Sequence, residues 1–300
     1  MLQVLLISDK KNWSYAAICQ GVMKFNNNPD IKFKHVSCKG GIDKIKSLRK
    51  RFDLYFVLGW QNTKSLPFLD KSRTLVGVHS HQSFDSKKTT PSKDVIPDNT
   101  SIRYLSQFLG VNTVSLRLHD IMESVGLENT YTPNGVDTDI FVPKDKPRKW
   151  SACCVAAKKN YWNKGVTSFI KPACDIAGFS LMTLGENKTD NKDMPGFYNQ
   201  AHVYICASLS EGMPMSILEA GACGCVIVST RCGDITCLVK NGENGFLVDR
   251  KIEEIANSLD KVKNGRFNDI SKSIRDDIYT DWSWKTNADK WIKFIERFAS

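Results

Sequence analysis

The sequence predicts an α/β protein made of two doubly wound, parallel-sheet domains. Three observations predict it. Nine short apolar runs alternate with helical patterns along 300 residues, and alternating βα units imply parallel sheets covered by helices. Nine strands over this length suit two smaller sheets better than one. Between the halves, the stretch 133–150 places Pro133, Pro143 and Pro147 among charged residues, the composition of a linker.

The first run, 3–7, reads as a buried strand. No basic segment precedes it and no small-residue cleavage site follows, so it does not read as a secretory signal. Helical spacing covers 15–25, and strands are expected at 54–58 and 74–78. The stretch 83–100 lacks apolar periodicity and is rich in Ser, Thr, Lys, Asp and Pro, so it reads as a mobile loop. A strand at 113–115 and a helix at 117–125 complete a first domain over 1–136. After a linker at 137–149, a second domain over 150–280 is expected. It has strands at 152–157, 180–184, 203–206, 226–229 and 245–248, and helices at 166–176, 214–223 and 252–261. Residues 281–300 carry Trp282, Trp284, Trp291, Ile292, Phe294, Ile295 and Phe298, an amphipathic terminal helix.

Composition narrows the classes. A hydrophobic share of 41% with 25% charged residues is that of an ordinary globular chain, and no apolar run nears the roughly 18 residues of a membrane span. The ten cysteines show no disulfide framework and no paired CxxC. They read as small buried thiols of a reducing cytoplasm, with a zinc site at Cys223 and Cys225 as the other reading. The net charge is +10, densest from Lys32 to Arg51, where eight basic residues face one acid, Asp43. Ile42, Ile45, Leu48 and Phe52 recur there at near-helical spacing, as in a basic amphipathic helix. Three readings stay open for it: a solvated face, an anionic membrane surface, or a nucleic-acid backbone. The expected location is the cytoplasm, peripheral to the inner face of a membrane under the second reading. No G-x-G-x-x-G follows the first strand, so no dinucleotide cofactor is expected on that half. That leaves the first domain for an acceptor.

The densest chemical signal lies in the second half. Glu211 and Glu219 stand eight positions apart, with Gly212 and Pro214 between them. Pro214 suits the first turn of a helix, which puts Gly212 at or beside the N-cap and Glu219 more than a turn inside. Free amides at a helix start hold phosphate, and carboxylates accept from vicinal sugar hydroxyls. The combination fits a nucleotide sugar.

Four ordered blocks carry a family resemblance: Pro133-Asn134-Gly135-Val136-Asp137 with Phe141, Lys164-Gly165, the Glu211/Glu219 pair, and Asn241 to Val248 (NGENGFLV). Together the sequence resembles the retaining GT-B glycosyltransferases of the "group 1" type, family four. The resemblance implies a GT-B fold, two Rossmann-like domains facing a central cleft, with the terminal helix crossing back to the first. It implies a hexosyltransferase moving a hexose-like sugar from a nucleoside-diphosphate sugar to an acceptor hydroxyl with retention. The acceptor would be a cell-envelope glycan or lipid. The alternatives are a hydroxymethylated DNA base as acceptor, or a nucleotide-sugar-binding module without transfer.

Residue roles follow from the same resemblance. Glu219 would bind the ribose hydroxyls and Glu211 the sugar hydroxyls. The backbone from Gly212 through Met213, Pro214 and Met215 would approach the sugar and phosphates. Lys164 would neutralise the departing diphosphate, and Lys159, standing where the family usually has Arg, would assist as a point charge. His79, at the end of an apolar strand and favoured over His81, would hydrogen-bond the donor sugar or stabilise charge at the reacting centre. The family needs no metal here, so the Asp137-Thr138-Asp139 triplet belongs to the linker, and no cofactor beyond the nucleotide-sugar co-substrate is expected. The chain departs from the family in its short first half, its missing glycine-rich first loop, and Cys237 where a Glu is common.

Overall fold

The computed structural model describes residues 1–11, 13–85, 95–147, 149–157, 161–185 and 193–299. The chain divides into two compact units, Met1–Gly135 with Trp284–Ser300, and Val136–Ser283.

The first unit holds a wholly parallel sheet of six strands: β1 (Leu2–Ser8), β2 (Ile31–Ser37), β3 (Leu54–Val57), β4 (Thr74–Val78), β5 (Gly110–Thr113) and β6 (Thr130–Tyr131). Their spatial order is β2-β1-β3-β4-β5-β6. β3 and β4 are buried along their whole length, as continuous apolar strands covered on both faces should be. Helices α1 (Ser14–Lys24), α2 (Ile42–Leu48), α3 (Asn99–Leu105) and α4 (Leu116–Ser124) connect the strands.

Three sequence expectations change here. β2 was not expected: Lys32 and Lys34 are exposed while Ile31 is buried and Phe33 half-buried, an edge strand whose alternation is hidden in a basic stretch. The strand expected at 113–115 is instead Gly110–Thr113, because the Ser115 hydroxyl caps α4 by accepting from the Leu118 N–H. Of the stretch expected to be a loop at 83–100, residues 86–94 lie outside the described residues, and Asn99 already opens α3, capped by Asp98.

The last helix, α12 (Trp284–Glu296), belongs to this first unit. Its buried Trp291 donates from Nε1 to the Pro133 carbonyl at 2.8 Å and lies against Phe56, ring centroids 5.7 Å apart. The Trp284 ring lies over Gly21 of α1 so closely that a Cβ there would stand 2.2 Å from it. Only glycine fits.

The second unit has five parallel strands, β7 (Ser151–Val155), β8 (Ser180–Leu184), β9 (Val203–Cys206), β10 (Val226–Thr230) and β11 (Gly245–Val248), in the order β11-β10-β9-β7-β8. Its helices are α5 (Tyr161–Lys164), α6 (Lys171–Ala177), α7 (Met194–Tyr198), α8 (Met215–Ala222), α9 (Ile235–Leu238), α10 (Ile252–Lys261) and α11 (Phe267–Asp281). The helix expected over 166–176 is a π-turn, Val166–Ile170, running into α6. Pro172 cannot donate to the Ser168 carbonyl, and the turn before it widens. All ten cysteines are free and only Cys237 is exposed. Among the described residues no cluster of three or more His, Cys, Asp or Glu side chains could hold a metal, and no helix is long and apolar enough to cross a membrane.

Candidate functional site

In an open parallel sheet, ligands bind outside the carboxyl ends of the strands, where the strand order reverses. In the second unit that point lies between β7 and β9. Two side chains named from the sequence meet there. Lys164 ends α5, which follows β7, and Glu211 lies in the loop that leaves β9. Lys164 Nζ donates to Glu211 Oε1 in an ion pair. The pair is mostly shielded, with 26% and 16% of the two side chains exposed. Burial works against the lysine's charge, but the adjacent carboxylate outweighs it and raises the Lys164 pKa above the usual lysine range. The result is a permanent cation with one carboxylate partner.

Glycines shape the loop around this pair. Gly165, just past Lys164, is left-handed (φ 68°), and its missing Cβ would stand 3.0 Å from the Ala207 carbonyl. Gly233, also left-handed (φ 56°), packs on the Glu211–Gly212 backbone so tightly that a Cβ would lie 1.8 Å from the Gly212 oxygen. The Asp234 N–H then donates to that oxygen at 2.9 Å. The block from Gly233 to Cys237 thus fixes the Glu211 loop from below, while Cys237 itself is exposed on α9.

Pro214 is the N-cap of α8 rather than its first residue: its backbone is extended (φ −70°, ψ 120°) and its carbonyl accepts from the Ile217 N–H at 3.1 Å. Gly212 therefore stands two positions before the cap. Pro214 brings no N–H, so Met215 and Ser216 head the helix with amides that lack intrahelical partners. Met213 and Met215 are both buried. Glu219 is buried one turn along. The Tyr198 hydroxyl donates to its Oε2 at 2.7 Å. Burial pushes its pKa up to about 7, against the lowering effect of that hydrogen bond.

The first unit has its own switch point, between β1 and β3. His79 follows β4 beside it, its ring 4.6 Å from that of Tyr15. His79 Nε2 is buried without a hydrogen-bond partner, as is Asn112 Oδ1, whose amide donates to Thr132 Oγ1 at 2.6 Å. Both atoms crowd the position a Gly77 Cβ would take, at 2.7 and 3.0 Å. Burial lowers the His79 pKa to about 3, so the ring is neutral. Asp9, at the end of β1, has one carboxylate oxygen buried without a partner, and burial raises its pKa. His81 is buried and accepts from the Val95 N–H at Nδ1, a backbone-holding role.

Lys159 lies outside the described residues. The Asp137-Thr138-Asp139 triplet forms a turn, with the Asp139 N–H donating to Asp137 Oδ1 at 3.1 Å. Sequence reasoning named Gly233 only as the start of the block 233–237 and missed Tyr198, Asp9 and Tyr15. Gly233, Tyr198 and Tyr15 meet Gly212, Glu219 and His79, partners distant in sequence that no local pattern names.

Comparison with known proteins gives this geometry a family. Residues 162–264 match the family profile described as Glycosyl transferases group 1. The whole chain superposes on Anabaena HepE in complex with UDP-glucose, with a TM-score of 0.73 at 12% identity over 99% of this chain and 100% of that one. It also superposes on the sucrose-phosphate synthase of Thermosynechococcus elongatus, at 0.71 and 12% over 99% of both chains. The chain has the GT-B fold, and its second unit carries the group 1 glycosyltransferase segment. Within that segment lie Lys164, Glu211, Gly233 and Glu219. A curated relative, the UDP-Gal:alpha-D-GlcNAc-diphosphoundecaprenol alpha-1,3-galactosyltransferase of Escherichia coli, is 33% identical over 100 residues, 33% of this chain and 26% of that protein. The chain thus spans about a quarter of the length of that relative.

Proposed function

We propose that this chain is a retaining glycosyltransferase that moves a hexose-like sugar from a nucleoside diphosphate to an acceptor hydroxyl. The observation that carries the reading is the Lys164–Glu211 pair, held at the sheet's switch point inside the group 1 segment. A shielded lysine that stays charged is a standing counter-ion for a diphosphate. A carboxylate has only acceptor sites to offer, which suits neighbouring hydroxyls. When a donor arrives, phosphate oxygens replace Glu211 on Lys164, and Glu211 turns to the sugar. Negative charge on the diphosphate grows as the glycosidic bond breaks, so the fixed cation stabilises the transition state more than the ground state.

The remaining roles follow the same chemistry. Glu219 accepts from the ribose hydroxyls, and the backbone of Gly212, Met213, Pro214 and Met215 walls the sugar and phosphates. Lys159 adds a second charge. His79, neutral across the working pH range, serves as a hydrogen-bonding group for a hydroxyl rather than as a cation. No covalent nucleophile is assigned: the leaving phosphate oxygen takes the acceptor proton on the face it departs from. No cofactor is proposed beyond the nucleotide sugar.

The names of two of the matched proteins specify uridine nucleotides, and we assign a UDP-sugar as donor. The lipid-linked acceptor in the E. coli relative's name favours a cell-envelope glycan or lipid over a DNA base or binding without transfer. The Lys32–Arg51 face then rests on anionic headgroups at the inner side of a membrane.

The test is turnover. UDP-galactose and UDP-glucose are offered with a polyprenyl-diphosphate-linked sugar, and UDP release is followed with the product linkage read by NMR. An α-linked product, lost in Glu211→Gln, is expected. A wild-type protein that neither binds UDP nor releases it from any UDP-sugar ends the proposal.

A further inference from the structure

Arg250 follows β11 and reaches across the carboxyl-end rim of the second unit. Its Nε donates to the Ala207 carbonyl at 2.8 Å. Its Nη2 donates to the Trp162 and Asn163 carbonyls at 2.6 and 3.0 Å. The guanidinium carbon lies 4.6 Å from the centroid of the Phe169 ring. Ala207 begins the loop that carries Glu211, and Trp162 and Asn163 belong to α5, whose last residue is Lys164. One planar cation therefore joins the two segments that bear the ion pair. A direct bond between the same segments, from the Leu209 N–H to the Asn163 carbonyl at 3.2 Å, runs beside it.

We propose that Arg250 is a positioning residue for sugar transfer: it sets the separation of Lys164 and Glu211 by holding the backbone of both loops. This rests on the donor-site reading above. Arg suits the task because its guanidinium presents several donors in one rigid plane, so it can serve carbonyls from two segments at once. A lysine at the same place is a point charge on a flexible stem and reaches one or two of them. The Asn163 carbonyl accepts from both Arg250 and the Leu209 N–H, while the Ala207 and Trp162 carbonyls are reached from β11 through Arg250, so the guanidinium adds two tethers to the one direct bond between the segments. Arg250 makes none of its hydrogen bonds to Lys164 or Glu211 side chains; it acts through the chain that carries them. Three separate β-α connections, after β7, β9 and β11, are tied at one residue.

The experiment compares wild type, Arg250→Met, Arg250→Lys and Arg250→Ala in UDP-sugar turnover, UDP binding by calorimetry and thermal unfolding. In Arg250→Met we expect kcat to fall on the order of a hundredfold, as a misplaced reacting group does. Thermal unfolding should stay close to wild type, Arg250→Lys should recover part of the rate, and added guanidinium at millimolar strength should rescue Arg250→Ala where ammonium does not. Unchanged kcat in a folded Arg250→Met, with wild type active, overturns the role of Arg250 and leaves the donor site standing. If Arg250→Met does not fold, amide exchange in Arg250→Lys decides: faster exchange confined to 163–165 and 207–211 supports the proposal, and unchanged exchange there overturns it. A wild-type protein that does not bind UDP overturns both readings.

Discussion

Glu219 is the residue where burial and function pull against each other. The residue is buried, its pKa is pushed up to about 7 by burial, and the Tyr198 hydroxyl occupies one oxygen. The native state holds this proton up to about pH 7, the unfolded chain only to its ordinary value of 4.5. Between those values the folded protein binds more protons, so stability falls as pH rises and the loss is complete above about 7. The shift corresponds to roughly 3 kcal/mol. Glu219→Gln should remove that slope: its melting temperature relative to wild type should climb from pH 5 to pH 8. Its affinity for UDP-glucose should drop, while wild-type affinity should rise through pH 7 as the carboxylate forms. A constant melting difference across that range, with unchanged affinity, would show that Glu219 is neither strained nor engaged. The two glutamates and Lys164 stood out in the sequence because they fall in blocks that resemble the family's motifs. Their pairing did not. Lys164 meets Glu211 across 47 residues, and Gly233 holds Gly212 across 21, contacts that no local pattern encodes.

At the level of elements, periodic and capped segments were the legible ones. The helix expected at 252–261 is α10 over the same residues, since its apolar face repeats cleanly at helical spacing. β2 was hidden because an edge strand needs only one apolar face, and here lysines fill the other. The terminal helix shows how much one element can carry. Trp284, Trp291, Phe294 and Ile295 of α12 are all buried, Gly21 is open to admit Trp284, and Trp291 closes on Pro133 of the interdomain motif. Trp291→Ala removes a fully packed ring together with a buried hydrogen bond to the backbone. Losses of this kind cost about 3–5 kcal/mol, to be measured by urea unfolding followed by circular dichroism. A loss below about 1 kcal/mol, within the range of ordinary surface changes, would mean that α12 is a dispensable cover rather than part of the first unit's core.

The whole molecule carries a net charge of +10, and its distribution decides what that charge does. Lys32 and Lys34 line the exposed side of the edge strand β2. Lys44, Lys46, Lys50 and Arg51 stand exposed along α2 and the turn after it, with Ile42 exposed beside them at 40%. Ile45 and Leu48 bury the opposite side of α2. A short helix of seven residues cannot insert deeply, so under the proposed membrane contact attraction would come from charge, with Ile42 as a small apolar contact. Each lysine near an anionic bilayer contributes about 1 kcal/mol. Lys44→Gln with Lys46→Gln should therefore weaken binding to phosphatidylglycerol-containing vesicles by about 2 kcal/mol, roughly thirtyfold. The fold and the donor-site turnover on a soluble acceptor should be unaffected. Binding should also fall at high salt, where screening shortens the reach of exposed charge, and should vanish on phosphatidylcholine alone. Flotation with both vesicle types at low and high salt measures all three effects. Binding that tracks duplex DNA and ignores the anionic vesicles would assign the same basic face to a nucleic-acid backbone. Because the proposed acceptor is tethered to lipid, that result would also remove the physical reason for placing the reaction at a membrane.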